Sequence, residues 1–229
     1  MSSQTPLFFR SDDNGKSPDP LVPQLLDACS RHGLKLAFHL EPYKGRTVEE
    51  VRADVVYITE QYSTHPAFYR QDGKLPVYYI YDSYHIRSTE WASILSPRGA
   101  HTLRGTEYDG IFIGLLVESK HFDDIKDGRF DGFYTYFAAN GFTFGSTRSN
   151  WQSLASKAED AKLLFIPSVG PGYVDTRVRP WNGDNERARK QGFTYYERYR
   201  HFFLHFDETS PKKAHVWCVL HFFFFFFLL

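Results

Sequence analysis

Short runs of apolar residues recur along the chain and predict buried β-strands. Each run holds seven or eight residues rich in β-branched and aromatic side chains, without the strict alternation of a strand that faces water on one side. We therefore expect strands that are buried on both faces, as in a parallel sheet. The five runs cover residues 34–40, 75–81, 110–116, 130–137 and 162–169.

The segments between these runs carry helical spacing. One segment places four apolar side chains on a single helical face, and the preceding "TVEE", which begins at Thr47, has the form of a capping box. A second helical pattern follows Asn150, a candidate N-cap, and an earlier one over residues 21–29 stops before Gly33. The four apolar positions that share the face are Val48, Val51, Val55 and Ile58.

Strands separated by helix-length crossovers predict an α/β fold with a parallel sheet, and two architectures fit that order. An open doubly wound sheet that binds a dinucleotide would place Gly-x-Gly-x-x-Gly after a strand. Here Gly170 and Gly172 flank Pro171 and the third glycine is missing. A (β/α) barrel instead collects its site residues at the carboxyl ends of the strands.

Polar and aromatic side chains do stand at the predicted carboxyl ends of most strands. Each has an ordinary structural interpretation, since His39 could be a rim histidine and Asp82 could cap a helix. Their recurrence at several strand ends favours a barrel with a carbohydrate-type site. The candidates are His39, Glu41, Tyr43, Asp82, Tyr84, Tyr134, Tyr136, Tyr173 and Asp175.

Composition narrows the function classes. The 229 residues are 42% hydrophobic with equal numbers of basic and acidic residues, 27 of each, so one core is the default and nucleic acid is not an expected partner. Two cysteines indicate neither a disulfide framework nor a metal site, and we expect no cofactor and no metal. Aromatic residues reach 18%, and tyrosine at strand ends suits a sugar, whose C–H face stacks on the ring.

Five longer motifs resemble glycoside hydrolase family 99, the endo-α-1,2-mannosidase family. They occur in unbroken order between about Asp13 and Glu197. The motifs are "HLEPY" (39–43), "HPAFYR" (65–70), "YIYDSY" (79–84), "FDGFYTYFAANGFTFGS" (130–146) and "FIPSVGPGYVDTRVRPWN" (165–182). The resemblance implies a (β/α)8 barrel that cuts internal α-1,2-mannosidic linkages of glucosylated high-mannose N-glycans, with animal members anchored in the Golgi membrane.

The resemblance also implies roles for individual residues. Glu41 matches the glutamate that lies in the sugar-binding cleft, and Tyr173 matches a tyrosine close to the catalytic groups. The loop after the fifth run would project Tyr173 and Asp175 over substrate. Arg179 either contacts substrate or holds that loop through a bidentate bond to a carboxylate.

The chain departs from the family pattern in its catalytic groups. In the family, a base and an acid both come from a motif of the type Asn-Glu-Trp-His-Glu, and no such motif occurs among these residues. We therefore expect no catalytic residue, a partial barrel of about five of the eight βα units, and no hydrolysis. A glycan-binding pseudoenzyme and a fragment without function are the alternatives.

The expected domain organisation has three parts. Residues 1–12 are expected to be unstructured, 13–197 to form the partial barrel, and 198–229 to be a divergent hydrophobic tail. Six consecutive phenylalanines in that tail fit no helix or strand period, and its apolar stretch is shorter than the ~20 residues of a membrane-spanning helix. We expect no membrane span in this chain, with the family's anchor missing from it.

Overall fold

The computed structural model describes residues 19–137, 140–168, 173–174 and 186–187. These residues divide into two compact units. The first runs up to Leu115 and includes Phe122–Gly132, and the second holds Leu116–His121 and the described residues from Phe133 onward.

The first part of the chain alternates helices with strands. A short 3-10 turn at Asp19–Leu21 leads into the first helix, and another at Ser83–His85 follows the third strand. The elements are α1 (Val22–Arg31), β1 (Phe38–Leu40), α2 (Val48–Tyr62), β2 (Arg70–Gln71), β3 (Leu75–Ile80), α3 (Ser88–Leu95), β4 (Ile111–Leu115) and α4 (His121–Asp127).

The second part begins at the fifth strand. A 3-10 turn at Arg148–Asn150 precedes its helix. The elements are β5 (Gly132–Tyr134), α5 (Trp151–Ala161), β6 (Leu164–Ile166), β7 (Tyr173–Val174) and β8 (Glu186–Arg187).

Parallel strands form the centre of the first unit. β3 lies between β1 and β4 and pairs in parallel with both, with Leu40 opposite Ile80 and Val77 opposite Ile111. Helix-containing crossovers connect these strands, as parallel pairing requires. The interior positions of β3 and β4 are almost all buried, so the prediction of strands buried on both faces is confirmed for these two.

The second unit packs helix α5 against an aromatic cluster. The Trp151 ring is fully buried, and the rings of Phe133 and Phe165 stack with centroids 5.0 Å apart. Thr135 N–H donates to the Ile166 carbonyl, which ties the end of β5 to β6. β6 is less buried than the pattern predicted, because Leu164 keeps 40% of its surface exposed.

Two of the predicted helix boundaries are confirmed by local backbone chemistry. The capping box at Thr47 is formed, and α1 ends at Arg31, just before Gly33 at a positive φ of 65°. Asn150 does stand at the N-cap of α5, but its side chain does not bond the helix backbone. Its amide instead donates to the Phe144 carbonyl at 3.0 Å.

No helix within the described residues combines the length and apolar character that crossing a bilayer requires.

Candidate functional site

The carboxyl ends of β1 and β3 bring two acidic residues to the same edge of the sheet. Tyr81 N–H donates to the Leu40 carbonyl at 3.0 Å, which extends the pairing by one residue beyond the strands. Glu41 follows β1 directly and Asp82 follows Tyr81. Because neighbouring parallel strands end at one edge, the chain places both carboxylates at the end of the sheet where barrel enzymes build their sites.

Asp82 is held by an unusual backbone conformation and by its neighbours. Its φ of 47° and ψ of 41° lie in the left-handed region, which aspartate tolerates better than most residues. One carboxylate oxygen accepts the Tyr84 hydroxyl at 2.6 Å, and the other lies 3.8 Å from His85 Nε2. Arg46 Nη2 donates to the Asp82 carbonyl at 2.9 Å, so backbone and side chain are both fixed.

His39 and Glu41 form a second polar pair. His39 Nδ1 lies 2.8 Å from Glu41 Oε1, and the histidine ring packs against Tyr81 with centroids 5.5 Å apart. The Glu41 side chain keeps 53% of its surface exposed. A carboxylate oriented by a histidine and still open to solvent can accept a hydrogen bond from a ligand hydroxyl.

Tyr43 belongs to the same loop but bonds to the protein itself. Its hydroxyl donates to Asp54 Oδ2 at 3.3 Å, and Asp54 is a buried residue of helix α2. This bond holds the loop after β1 against the helix. It gives the Tyr43 hydroxyl a structural partner that spacing along the sequence did not suggest.

The second unit contains three further candidates within the described residues. Tyr134, on β5, is fully buried, and its ring meets that of Tyr136 edge to face at 6.3 Å. Tyr136 has a positive φ of 54°, an uncommon conformation for an aromatic residue. Tyr173 lies on β7, where it pairs with Arg187 of β8. Asp175 and Arg179 lie outside the described residues.

The structure therefore brings the candidates together as pairs. We term the group His39, Glu41, Asp82 and Tyr84 the first-unit cluster. Two residues that sequence reasoning missed, Arg46 and His85, complete it through their contacts with Asp82. Arg46 stands three residues after the motif "HLEPY", and His85 directly follows "YIYDSY". Their proximity to Glu41 and Asp82 along the chain was the available signal. The candidate pairs are His39 with Glu41, Asp82 with Tyr84, and Tyr134 with Tyr136.

The first-unit cluster suits the recognition of a neutral, hydroxyl-rich molecule. Carboxylates accept hydrogen bonds, tyrosine hydroxyls and histidines both donate and accept, and the aromatic rings offer apolar faces. Across the described ranges, no group of three or more His, Cys, Asp or Glu side chains is arranged to hold a metal ion.

Similarity to known proteins covers most of the chain. The sequence model of glycosyl hydrolase family 99 matches residues 6–209. Glycoprotein endo-alpha-1,2-mannosidase-like protein of Danio rerio is 53% identical over 191 residues, 82% of this chain and 43% of its own length. Glycoprotein endo-alpha-1,2-mannosidase of Mus musculus is 50% identical over 190 residues, 81% of this chain and 41% of its own.

A solved structure is similar as well. The endo-alpha-mannosidase of this family from Bacteroides thetaiotaomicron superposes with a TM-score of 0.72 at 49% identity, over 78% of this chain and 52% of that protein. The expected partial (β/α)8 barrel is confirmed by this similarity. The chain spans about two fifths of the length of the curated relatives it matches.

Proposed function

The chain belongs to glycosyl hydrolase family 99, and from that premise we propose that it recognises α-1,2-linked mannose in glucosylated high-mannose N-glycans. The names of its relatives support the substrate class, because those proteins are endo-alpha-1,2-mannosidases. The residues we propose for sugar binding are His39, Glu41, Tyr43, Asp82, Tyr84, Tyr134, Tyr173, Asp175 and Arg179.

The observation that carries this proposal is the pair of preset carboxylates at the ends of β1 and β3. Glu41 is oriented by His39, and Asp82 by Tyr84 and its own left-handed backbone. Acceptors that are fixed before a ligand arrives lose little side-chain entropy on binding, which favours affinity for hydroxyl groups.

We further propose that these 229 residues bind the glycan without cleaving it. By resemblance to the family, hydrolysis needs a base that helps the sugar's own 2-hydroxyl attack the anomeric carbon, and an acid that protonates the leaving oxygen. Both groups come from the Asn-Glu-Trp-His-Glu motif, which this sequence does not contain. Glu41 and Asp82 then act as hydrogen-bond acceptors rather than as the catalytic pair.

The proposed cellular compartment follows from the same resemblance. Animal members of the family act on N-glycans in the Golgi, so we propose the lumenal side of the Golgi membrane for this chain. The partner is the oligosaccharide of a glycoprotein.

Calorimetric titration of the chain with a glucosylated high-mannose oligosaccharide tests binding. Glu41→Gln removes a charged acceptor, so we expect its affinity to fall roughly tenfold or more. Glu49→Gln changes an exposed glutamate of α2 in the same way; it is the matched control and should bind like the wild type. A soluble wild-type chain that binds no oligosaccharide would contradict the proposal.

An assay for release of glucosylated mannose tests the second part. We expect no turnover, because loss of an acid and a base costs several orders of magnitude in rate. Measurable release by the purified chain would show that other residues supply these groups.

A further inference from the structure

Four aromatic rings of the second unit form a continuous path, which we term the aromatic ladder: Tyr134, Tyr136, Phe137 and Phe142. Successive ring centroids lie 6.3, 5.0 and 5.0 Å apart. The ladder begins at Tyr134, which is fully buried at the end of β5, and ends at Phe142, which is 55% exposed. It therefore leads from the buried end of β5 to the surface.

The backbone around Phe142 is tightly bonded. Thr143 N–H donates to Ser146 Oγ at 2.8 Å, and Ser146 N–H donates back to Thr143 Oγ1 at 3.0 Å. Gly145 N–H donates to the Val117 carbonyl at 3.1 Å, and a Cβ at this glycine would overlap the Leu116 carbonyl oxygen. The residues that follow Phe142 are therefore anchored at several points.

Further bonds close the loop from its other end. Arg148 N–H donates to Asn140 Oδ1 at 2.9 Å, and Thr147 Oγ1 donates to the Thr143 carbonyl at 2.6 Å. Trp151 Nε1 donates to the Gly145 carbonyl at 2.8 Å. Burial of an apolar ring is favourable, yet the bonds on both sides of this loop hold the Phe142 ring exposed to water. The ring is therefore a fixed apolar surface that a ligand can cover at little entropic cost.

We infer that Phe142, supported by Phe137, is a stacking platform for a sugar residue of the glycan that lies away from the strand ends. The inference rests on the proposed function. A pyranose presents a C–H face that packs on an aromatic ring, and the loop follows the carboxyl end of β5, the end at which a barrel builds its site. Leu164, another exposed apolar side chain of this unit, is aliphatic and lacks a flat face.

The length of the ligand tests this platform. A high-mannose oligosaccharide is long enough to reach beyond the strand ends, whereas the disaccharide α-1,2-mannobiose occupies only the positions next to them. We expect Phe142→Ala to weaken oligosaccharide binding about three- to tenfold and to leave disaccharide binding unchanged. Phe142→Tyr keeps the ring and should bind as the wild type does. Leu164→Ala is the control for loss of an exposed apolar side chain in the same unit.

A second measurement uses the wild-type chain. With ¹³C-labelled phenylalanine, the Phe142 ring resonance should shift on addition of the oligosaccharide and stay in place on addition of the disaccharide. Unchanged oligosaccharide affinity in Phe142→Ala overturns the platform and leaves the proposed function standing. Equal weakening for both ligands also overturns it, since Phe142 would then belong to the positions next to the strand ends. A wild-type chain that binds neither ligand overturns both proposals.

Discussion

At the scale of single residues, the Tyr78 hydroxyl shows how a hydrogen bond and burial act on one group. The Tyr78 ring on β3 has no exposed surface, and its hydroxyl lies 2.8 Å from Thr59 Oγ1 on α2. Thr59 donates its own proton to the Val55 carbonyl, so Tyr78 is the donor to Thr59. Burial raises the pKa of Tyr78 to about 12, and the hydroxyl stays protonated at neutral pH.

This pKa makes the folding free energy depend on alkaline pH. A tyrosine with a raised folded-state pKa stabilises the fold fully below pH 10, and that contribution is lost as pH rises from 10 to about 12. Tyr78→Phe removes the titrating group and one hydrogen bond, at a cost of about 1 kcal/mol near neutrality. Across that range, we expect the free energy of unfolding of the wild type to fall relative to that of the variant by up to about 2–3 kcal/mol. The stability difference between the two proteins should therefore shrink or reverse.

Urea unfolding at several pH values measures this difference. Thr59→Val is the matched control, because it removes the partner and keeps the titrating hydroxyl. Its stability should still fall above pH 10, over a range that extends to higher pH because the Thr59 hydrogen bond lowers the Tyr78 pKa. A Tyr78→Phe variant with the same pH profile as the wild type between pH 10 and 12 would show that folding does not raise the Tyr78 pKa.

Sequence reasoning reached some residue contacts and missed others for a physical reason. Asp82 and Tyr84 stand two positions apart at a predicted strand end, and the structure joins them by a hydrogen bond. The bond from Tyr43 to Asp54 spans eleven positions and depends on how α2 packs against the loop after β1. Spacing carries information about neighbours along the chain, whereas such a contact depends on tertiary packing.

At the scale of elements, helix α2 shows how local chemistry sets a boundary. Glu50 N–H donates to Thr47 Oγ1 at 3.3 Å, and Thr47 N–H donates to Glu50 Oε2 at 3.1 Å. Two backbone donors that the first turn would leave without partners are satisfied by this exchange. The same helix supplies Asp54, so its start also positions the partner of Tyr43.

Removing the cap should therefore destabilise the fold by a small, measurable amount. We expect Thr47→Ala to lower the free energy of unfolding by about 1 kcal/mol, and Thr47→Ser to stay close to the wild type because serine keeps the accepting oxygen. Denaturant midpoints with an unchanged slope would measure the difference. Equal loss in the serine variant would mean that the methyl group, not the cap, carries the effect.

The same scale shows where strand prediction was right and where it failed. The apolar runs located β1, β3, β4, β5 and β6, but only three residues of the predicted 34–40 and of 130–137 form ladder pairs. The length of a strand depends on how it pairs with the neighbouring strand, and an apolar run carries no information about that pairing. The hairpin from β2 to β3 was missed although its turn contains Asp72 and Gly73, both with positive φ, and an Asp-Gly pair is a common hairpin signal.

At the scale of the whole molecule, a barrel site is assembled from the ends of several strands. Each strand contributes one or two side chains, so residues far apart in sequence share one function. The strand order and the motifs predicted a barrel, and the family match over residues 6–209 supports that fold. Sequence reasoning could not supply the distances between strand ends, because the tilt and register of the strands set them.

The domain organisation gives the last prediction. No proposed sugar-binding residue lies beyond Arg179, and the six consecutive phenylalanines near the end fit no helix or strand period. A chain that ends at Glu197 should therefore bind the high-mannose oligosaccharide as tightly as the full chain. A chain that ends at Pro167 loses Tyr173, Asp175 and Arg179 and should bind at least tenfold more weakly, since hydrogen bonds to charged groups each contribute about 1.5–3 kcal/mol. A third chain that ends at Thr209, where the family match stops, tests the boundary itself. Binding by this third chain together with loss of binding by the chain that ends at Glu197 would place residues of the 198–209 segment in the functional domain.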